Sequence, residues 1–266
     1  IEVEYLSAEA IRAELRTKII GREIHYFPEV DSTNNVALRL AQEGAREGAL
    51  VIAEKQTSGR GRWGRSWLSP AHVGLWFSLI LKPALPPQAI ARVNLVGAVA
   101  VARAVRKMTA LKAYVKWPND VLIEDKKICG ILGESRISRD RVELFVLGIG
   151  INVNMKRELF PEEIRDSATS ISAELGEEIS RVALLGEVLE EFEKLYLSGQ
   201  KDEWISVLPE WRLLSSTLNK WVKVTIGGKT FEGYAIDLGE NGELVLHLPD
   251  DTYINISSGE VELLRE

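Results

Sequence analysis

Nine residues at positions 59–67, GRGRWGRSW, carry three arginines, three glycines and two tryptophans. Glycine lets backbone N–H groups come close to an anion, and each guanidinium presents a planar fork that matches phosphate or carboxylate oxygens. Taken alone, the loop fits three chemistries. It cradles the phosphates of a nucleotide or activated intermediate, it stacks single-stranded nucleic acid on Trp63 and Trp67, or it is a solvated turn with no ligand. A second cluster, KWPND at 116–120, sets the Asn119 amide beside the Asp120 carboxylate, although Pro-Asn-Asp is also ordinary turn chemistry. Lys127 heads the apolar run Ile128–Leu132, where a lysine either snorkels to the surface or is held beside an anion. GIGINVN at 148–154 places glycines inside a β-like run, which points to close approach by a ligand or another backbone.

Other chemistries are excluded by what the chain lacks. His25, His72 and His247 stand far apart and Cys129 is the one cysteine, so neither a metal motif nor a Ser-His-Asp or Cys-His set can be written. Cys129 reads as a small buried hydrophobe. Any acyl activation would have to use the substrate's own carboxylate. A lone cysteine fits a reducing cytoplasm. The net charge of −6 argues against general affinity for nucleic acid or an anionic membrane, so any basic patch must be local. No apolar run is expected to reach membrane-span length, and no signal peptide opens the chain. The chain begins at Ile1, where an initiator methionine would be retained, so residues upstream are expected to be missing.

The elements that must position these residues alternate along the chain. Residues 6–18 read as a short helix capped by Ser7, a connector rather than a domain. A strand over 24–30 leads to a helix capped by Ser32, with Val36, Ala37, Leu40 and Ala41 on one face. Residues 49–56 and 74–83 read as strands on either side of the arginine loop. Residues 86–108 form the longest helical pattern, apolar on most sides and therefore buried. Three β-like stretches follow, and Ser180 then opens a helix whose inner face carries Leu185, Leu189, Phe192 and Tyr196. Beyond Ser215, short strands separated by Gly227-Gly228 and Asn241-Gly242 turns predict a small β-barrel. The layout is thus a connector (1–19), a large domain (20–215) and a small all-β domain (216–266).

Four stretches in order, DSTN (31–34), QTSGRGRWGRSW (56–67), KWPNDVL with KKICGIL (116–132), and GIGINVN (148–154), resemble the biotin protein ligase family. The resemblance runs from about Ile20 to the C-terminus. It implies an α+β fold: a mixed central β-sheet backed by helices, related to class II aminoacyl-tRNA synthetases, with a small C-terminal SH3-like β-barrel. It also implies a two-step reaction. Biotin and MgATP give biotinyl-5′-AMP and pyrophosphate, and a lysine of a biotin carboxyl carrier protein then takes the biotin. The arginine loop would close over the adenylate as a lid that orders on binding, with glycines as hinges.

Carried over residue by residue, the resemblance assigns biotin contacts to Ser32, Thr33, Asn34 and Gln56, to Arg60, Gly61 and Arg62 of the loop, and to Lys127 and Gly130. Adenylate contacts fall to Arg62, Arg65, Trp67, Asn119 and Asn152. Lys127, Asp120 and Arg62 would be catalytic, Lys127 offsetting charge at the α-phosphate and Asp120 orienting or deprotonating the acceptor lysine. Mg2+ would be held by the phosphates, with no protein ligand. Trp63 stands where many relatives carry a basic residue. A homodimer formed through the central sheet is implied, with no membrane partner. Nucleic acid is not expected for this chain unless a winged helix precedes it.

Three other readings compete. A lipoate or octanoate ligase would share the fold. A nucleic-acid-binding module would use the arginine loop and show steep salt dependence. A biotin-sensing repressor would have catalysis as a secondary role.

Overall fold

The period-two apolar runs become two sheets in the computed structural model, which describes residues 4–264. The outer ends of the connector and of the small all-β domain, residues 1–3 and 265–266, lie outside the described residues. Strands β1 (Ile24–Val30), β2 (Leu50–Gln56), β3 (Gly74–Leu81), β4 (Ala113–Lys116), β5 (Asp120–Ile123), β6 (Lys126–Ser138) and β7 (Arg141–Asn152) form one sheet. Its order is β1-β2-β3-β7-β6-β5-β4. Only β1 and β2 run parallel, so the sheet is mixed.

Helices α3 (Ala91–Thr109) and α5 (Arg181–Gly199) pack on one another behind this sheet. Gly97 of α3 lies so close to Ile131, Leu147 and Ile149 that an added Cβ would fall 3.3 Å from the first two. On α5, Leu185, Leu189, Phe192 and Tyr196 are all buried, and Ser180 caps it by accepting from the Ala183 N–H, as its pattern predicts. Contrary to expectation, one segment, Pro87–Thr109, is long and apolar enough by composition to cross a membrane. It serves instead as the core helix, 72% of its most apolar window being buried.

Helix α2 (Thr33–Gln42) lies against β2, β3 and β7 with Val36 and Ala37 buried. Helix α1 (Ala8–Glu14) takes its predicted cap, Ser7 accepting from the Ala10 N–H. Yet this connector is no free linker, because Leu6, Ile11 and Leu15 are buried in the main core. Two short helices were not legible in the sequence, α4 (Ile171–Leu175) and α6 (Val207–Leu214).

The small sheet has the order β11-β10-β9-β8-β12, built from β8 (Lys220–Ile226), β9 (Lys229–Leu238), β10 (Leu244–His247), β11 (Tyr253–Ile256) and β12 (Glu260–Leu263). Sequence pattern alone missed β12, which pairs with β8. Trp117 ties the two sheets together. Its buried indole Nε1 donates to the Gly242 carbonyl at 2.9 Å, and its backbone N–H donates to the Thr217 hydroxyl at 3.0 Å.

A buried ion pair holds the connector to the sheet. Arg181 Nη1 lies 2.8 Å from Glu54 Oε2, and both side chains are almost wholly buried. Glu54 also accepts from the Leu6 N–H at 2.8 Å and the His72 N–H at 3.2 Å. Burial alone would raise the Glu54 carboxyl, but the Arg181 fork and these two N–H groups more than offset it and hold it below the ordinary glutamate value. A depressed folded-state pKa stabilises the protein above the unfolded pKa, about 4.3 for glutamate, and the gain is lost as pH falls through the folded value. Denaturant unfolding followed from pH 7 to pH 3 should show this loss for the parent. Arg181→Met leaves a buried carboxylate unpaired and should cost about 3–5 kcal/mol at pH 7, with the deficit shrinking on acidification. An equal deficit at both pH values would contradict the assignment.

Candidate active site

The site begins with a strip of sheet that has no side chains. Gly130 on β6 pairs with Gly150 on β7, and Gly148 lies two residues further along the same face. A Cβ on Gly150 would sit 2.2 Å from Trp67 Nε1, and one on Gly130 would sit 2.9 Å from the same indole. A Cβ on Gly148 would meet Asn34 Oδ1 at 2.2 Å. The glycines in GIGINVN are therefore there for close approach, and what approaches is Trp67 and Asn34. Above them opens a cavity of about 430 Å³ that all fourteen residues singled out by the resemblance help to line.

One end of the cavity is a polar network. Ser78, wholly buried on β3, donates to Asn34 Oδ1 at 2.6 Å and lies 2.8 Å from Thr33 Oγ1. Thr33 donates from its N–H to Gln56 Oε1 at 2.8 Å, and the Gln56 amide nitrogen donates to Ser69 at 2.8 Å. Asn34 Nδ2 donates to Glu134 Oε2 at 2.7 Å, and Arg60 pairs with that same oxygen at 2.7 Å. Ser32 occupies the helix N-cap position, but the predicted capping bond does not form. Its buried hydroxyl borders the cavity instead.

The other end is charged. A register shift between Val121 and Leu122 inserts Ile128 as an extra residue on β6, so Lys127 borders the cavity while Cys129 enters the core. Burial pushes the Cys129 thiol well above its ordinary value, which suits a structural residue and not a nucleophile. Lys127 Nζ lies 2.7 Å from Asp120 Oδ1 and 5.1 Å from the centre of the Trp67 ring. That Asp120 oxygen is buried and, among the described residues, has no partner in hydrogen-bond geometry. Asn119 exchanges backbone and side-chain bonds with Ile131, and Asn152 donates to the Thr169 carbonyl at 3.0 Å.

The arginine loop is folded in this structure. Gly61 N–H donates to the Arg65 carbonyl at 2.7 Å and Trp67 N–H to the Gly59 carbonyl at 2.8 Å, closing a small hairpin. Gly59 permits a close approach: a Cβ there would lie 2.4 Å from the Trp67 carbonyl. Arg62 Nη1 donates to the Gly259 carbonyl at 3.2 Å, and Arg65 pairs with Glu260 at 2.5 Å, so the small sheet supplies a wall of the cavity. Burial draws Arg62 below the ordinary guanidinium value, with Asp120 and Glu260 opposing, and it stays charged. Trp63 borders the cavity while 60% exposed, with the Arg62 guanidinium 5.3 Å from its ring centre.

Comparison with known proteins bears on what this cavity is. The model of the "Biotin/lipoate A/B protein ligase family" matches residues 26–152, and that of the "Biotin protein ligase C terminal domain" matches residues 217–264. The chain is 37% identical to the "Bifunctional ligase/repressor BirA" of Bacillus subtilis over 97% of its own length and 79% of that protein's. It is 33% identical to the "Biotin--[acetyl-CoA-carboxylase] ligase" of Mycobacterium tuberculosis over 94% of each chain. The chain belongs to the biotin protein ligase family. Its fold agrees: a ligase of that family from Aquifex aeolicus, solved with biotin and ATP, superposes with a TM-score of 0.77 at 31% identity, covering 92% of this chain and 100% of that one.

Several residues around this ligase-family cavity escaped sequence reasoning. Lys116, Glu134, Gly259 and Glu260 border it or pair with its arginines, and so do Phe160 and Ile164 from the segment after β7. Glu134 had a signal, since it continues the period-two face of Gly130 and Leu132; Glu260 had none. The glycine floor makes a testable demand. Gly150→Ala should expel the Trp67 indole without unfolding the sheet, shifting tryptophan fluorescence to the red. The shift should vanish when both proteins carry Trp67→Phe. An unchanged spectrum would mean that the indole does not rest on this strip.

Proposed function

We propose that this chain is an ATP-dependent biotin protein ligase that makes biotinyl-5′-AMP and passes the biotin to a lysine of a biotin carboxyl carrier protein. The observation that carries the reading is one cavity with the Thr33, Asn34 and Gln56 hydrogen-bonding network at one end and Lys127, Arg62 and Asp120 at the other. Biotin has matching ends. Its ureido ring offers N–H and C=O groups that suit Ser32, Thr33, Asn34 and Gln56, and its carboxylate would lie toward Lys127. Trp67 supplies an apolar wall for the rings.

In the first step a biotin carboxylate oxygen attacks the α-phosphorus of ATP. The bond to the bridging oxygen breaks and pyrophosphate leaves. Lys127, with Arg62, offsets the negative charge that grows on the α-phosphate, a role for preorganised cations in a partly dry site. Asn119, Asn152 and Arg65 belong to the nucleotide side, where Arg60 and Gly61 continue the wall toward biotin. The folded loop keeps water from the mixed anhydride. In the second step the carrier's amine attacks the acyl carbon, AMP leaves with the electron pair of the broken C–O bond, and Asp120 orients the amine and takes up its proton.

Among the described residues no three His, Cys, Asp or Glu side chains come together as a metal-ligand set. The resemblance implies a magnesium ion that enters with the triphosphate, and no step here depends on a protein-held metal. We also infer a cytoplasmic homodimer. The resemblance supports the dimer, and β1 leaves a sheet edge without a strand partner among the described residues. Sedimentation with and without biotin and ATP tests the dimer.

The central test is mass spectrometry of a carrier domain incubated with the protein, ATP, magnesium and biotin, with lipoate and octanoate in parallel. One biotin mass should be gained, only when ATP is present. A gain from lipoate or octanoate alone would overturn the biotin assignment. Lys127→Ala should lose about 2–4 kcal/mol of transition-state stabilisation, a slowing of pyrophosphate release of roughly 30- to 900-fold. A loss below about tenfold would make Lys127 a surface-seeking lysine after all.

A further inference from the structure

The cavity contains a cation that nothing beside it answers. Lys116 ends β4 and borders the cavity, yet among the described residues its ammonium forms no ion pair. Burial draws that ammonium below the ordinary lysine value; Asp120 opposes this and Lys127 adds to it, with Glu262 and Asp125 as weaker opposing charges. Lys116 stands directly across the β4–β5 hairpin from Asp120. Opposed residues have Cβ atoms about 4.5–5.5 Å apart, within easy reach of a lysine's four-carbon stem. Asp120 is meanwhile occupied, with Lys127 Nζ at 2.7 Å.

Two lysines thus border one carboxylate, and one of them is needed elsewhere. Once Lys127 turns to the α-phosphate, Asp120 Oδ1 loses the one ion pair it makes among the described residues. A half-buried carboxylate whose Oδ1 is shut off from solvent is less stable there without a counter-charge, and it moves or takes up a proton. Either response would spoil it for handling the acceptor amine.

We propose that Lys116 is a positioning residue that receives Asp120 when Lys127 leaves it, so that the carboxylate stays in place for transfer to the carrier. The exchange orders the two half-reactions. Before the adenylate exists, Asp120 is tied to Lys127; afterwards it is held from the opposite side, with an edge free to meet the incoming amine. The inference rests on the ligase reading above.

The test separates the half-reactions in the full-length protein. Pyrophosphate release with biotin and ATP reports adenylate formation, and carrier labelling from supplied biotinyl-AMP reports transfer. Lys116→Met should slow transfer at least tenfold, through kcat and not through KM for the carrier, and slow adenylate formation less than threefold. Lys116→Arg should restore transfer to within about threefold. Against an Asp120→Asn background, Lys116→Met should cost nothing further, because the two act as one unit. Unchanged transfer, an additive double variant, or adenylate formation falling as far as transfer would overturn the proposal, the last making Lys116 a phosphate ligand. A parent protein that forms no biotinyl-AMP would instead defeat the ligase reading itself.

Discussion

Close approach to bare backbone is the constraint on which the site rests. A strand interior loses stability with each glycine, through chain entropy and lost side-chain contacts. Here three lie on one face of two neighbouring strands, Gly130, Gly148 and Gly150. Their return is space. A Trp67 indole and an Asn34 carboxamide lie against the strip where a single methyl group would push each away. The floor is rigid because its other face is pressed on α3, where Ile131 and Ile149 meet Gly97. A depression one side chain deep is thereby cut into an otherwise close-packed sheet.

Charge is arranged by a different rule. Most cations at the cavity are answered by a carboxylate: Lys127 by Asp120, Arg60 by Glu134, Arg65 by Glu260. These anions keep a strongly basic pocket from repelling itself while no phosphate is present. None of the pairs is deeply buried, unlike the Glu54–Arg181 pair. Burial sorts the charged groups into structural and functional ones. The sealed pair anchors the connector, and the half-open pairs surround the cavity.

Much of this was legible in the sequence, for physical reasons that also mark where legibility ends. Alternating apolar residues set most of the strands, and turn residues ended them within a residue or two. Most motif residues came together because they lie at a strand end, at the start of a helix or in the loop between β2 and β3, which local pattern reveals. Local pattern cannot reveal partners far along the chain. Arg62 meets Gly259 across 197 positions, and Arg60 meets Glu134 across 74. It also could not foresee the extra residue at Ile128. Simple alternation would put Lys127 and Cys129 on one face, and the register shift separates them. Ser32 misled in the opposite direction, its type and place suiting a cap that the fold leaves unmade.

The small domain looks separable in sequence, yet magnitudes argue that it is attached firmly and touches the site lightly. Its attachment runs through buried groups: the Trp117 indole on the Gly242 carbonyl, and Arg92, almost fully buried, on the Glu240 carbonyl at 2.6 Å. Breaking such bonds strands buried donors, at about 1–3 kcal/mol each. Its reach over the arginine loop runs through an exposed pair, Arg65 with Glu260, where the side chains are 69% and 43% exposed. Pairs of that kind contribute about 0–1 kcal/mol. A firm base with a weak latch allows the loop to open for substrates and close again while the two domains keep their places. If Arg65 and Glu260 were buried like Arg181 and Glu54, the loop would be fixed, and a site that must admit a nucleotide and release AMP would be shut.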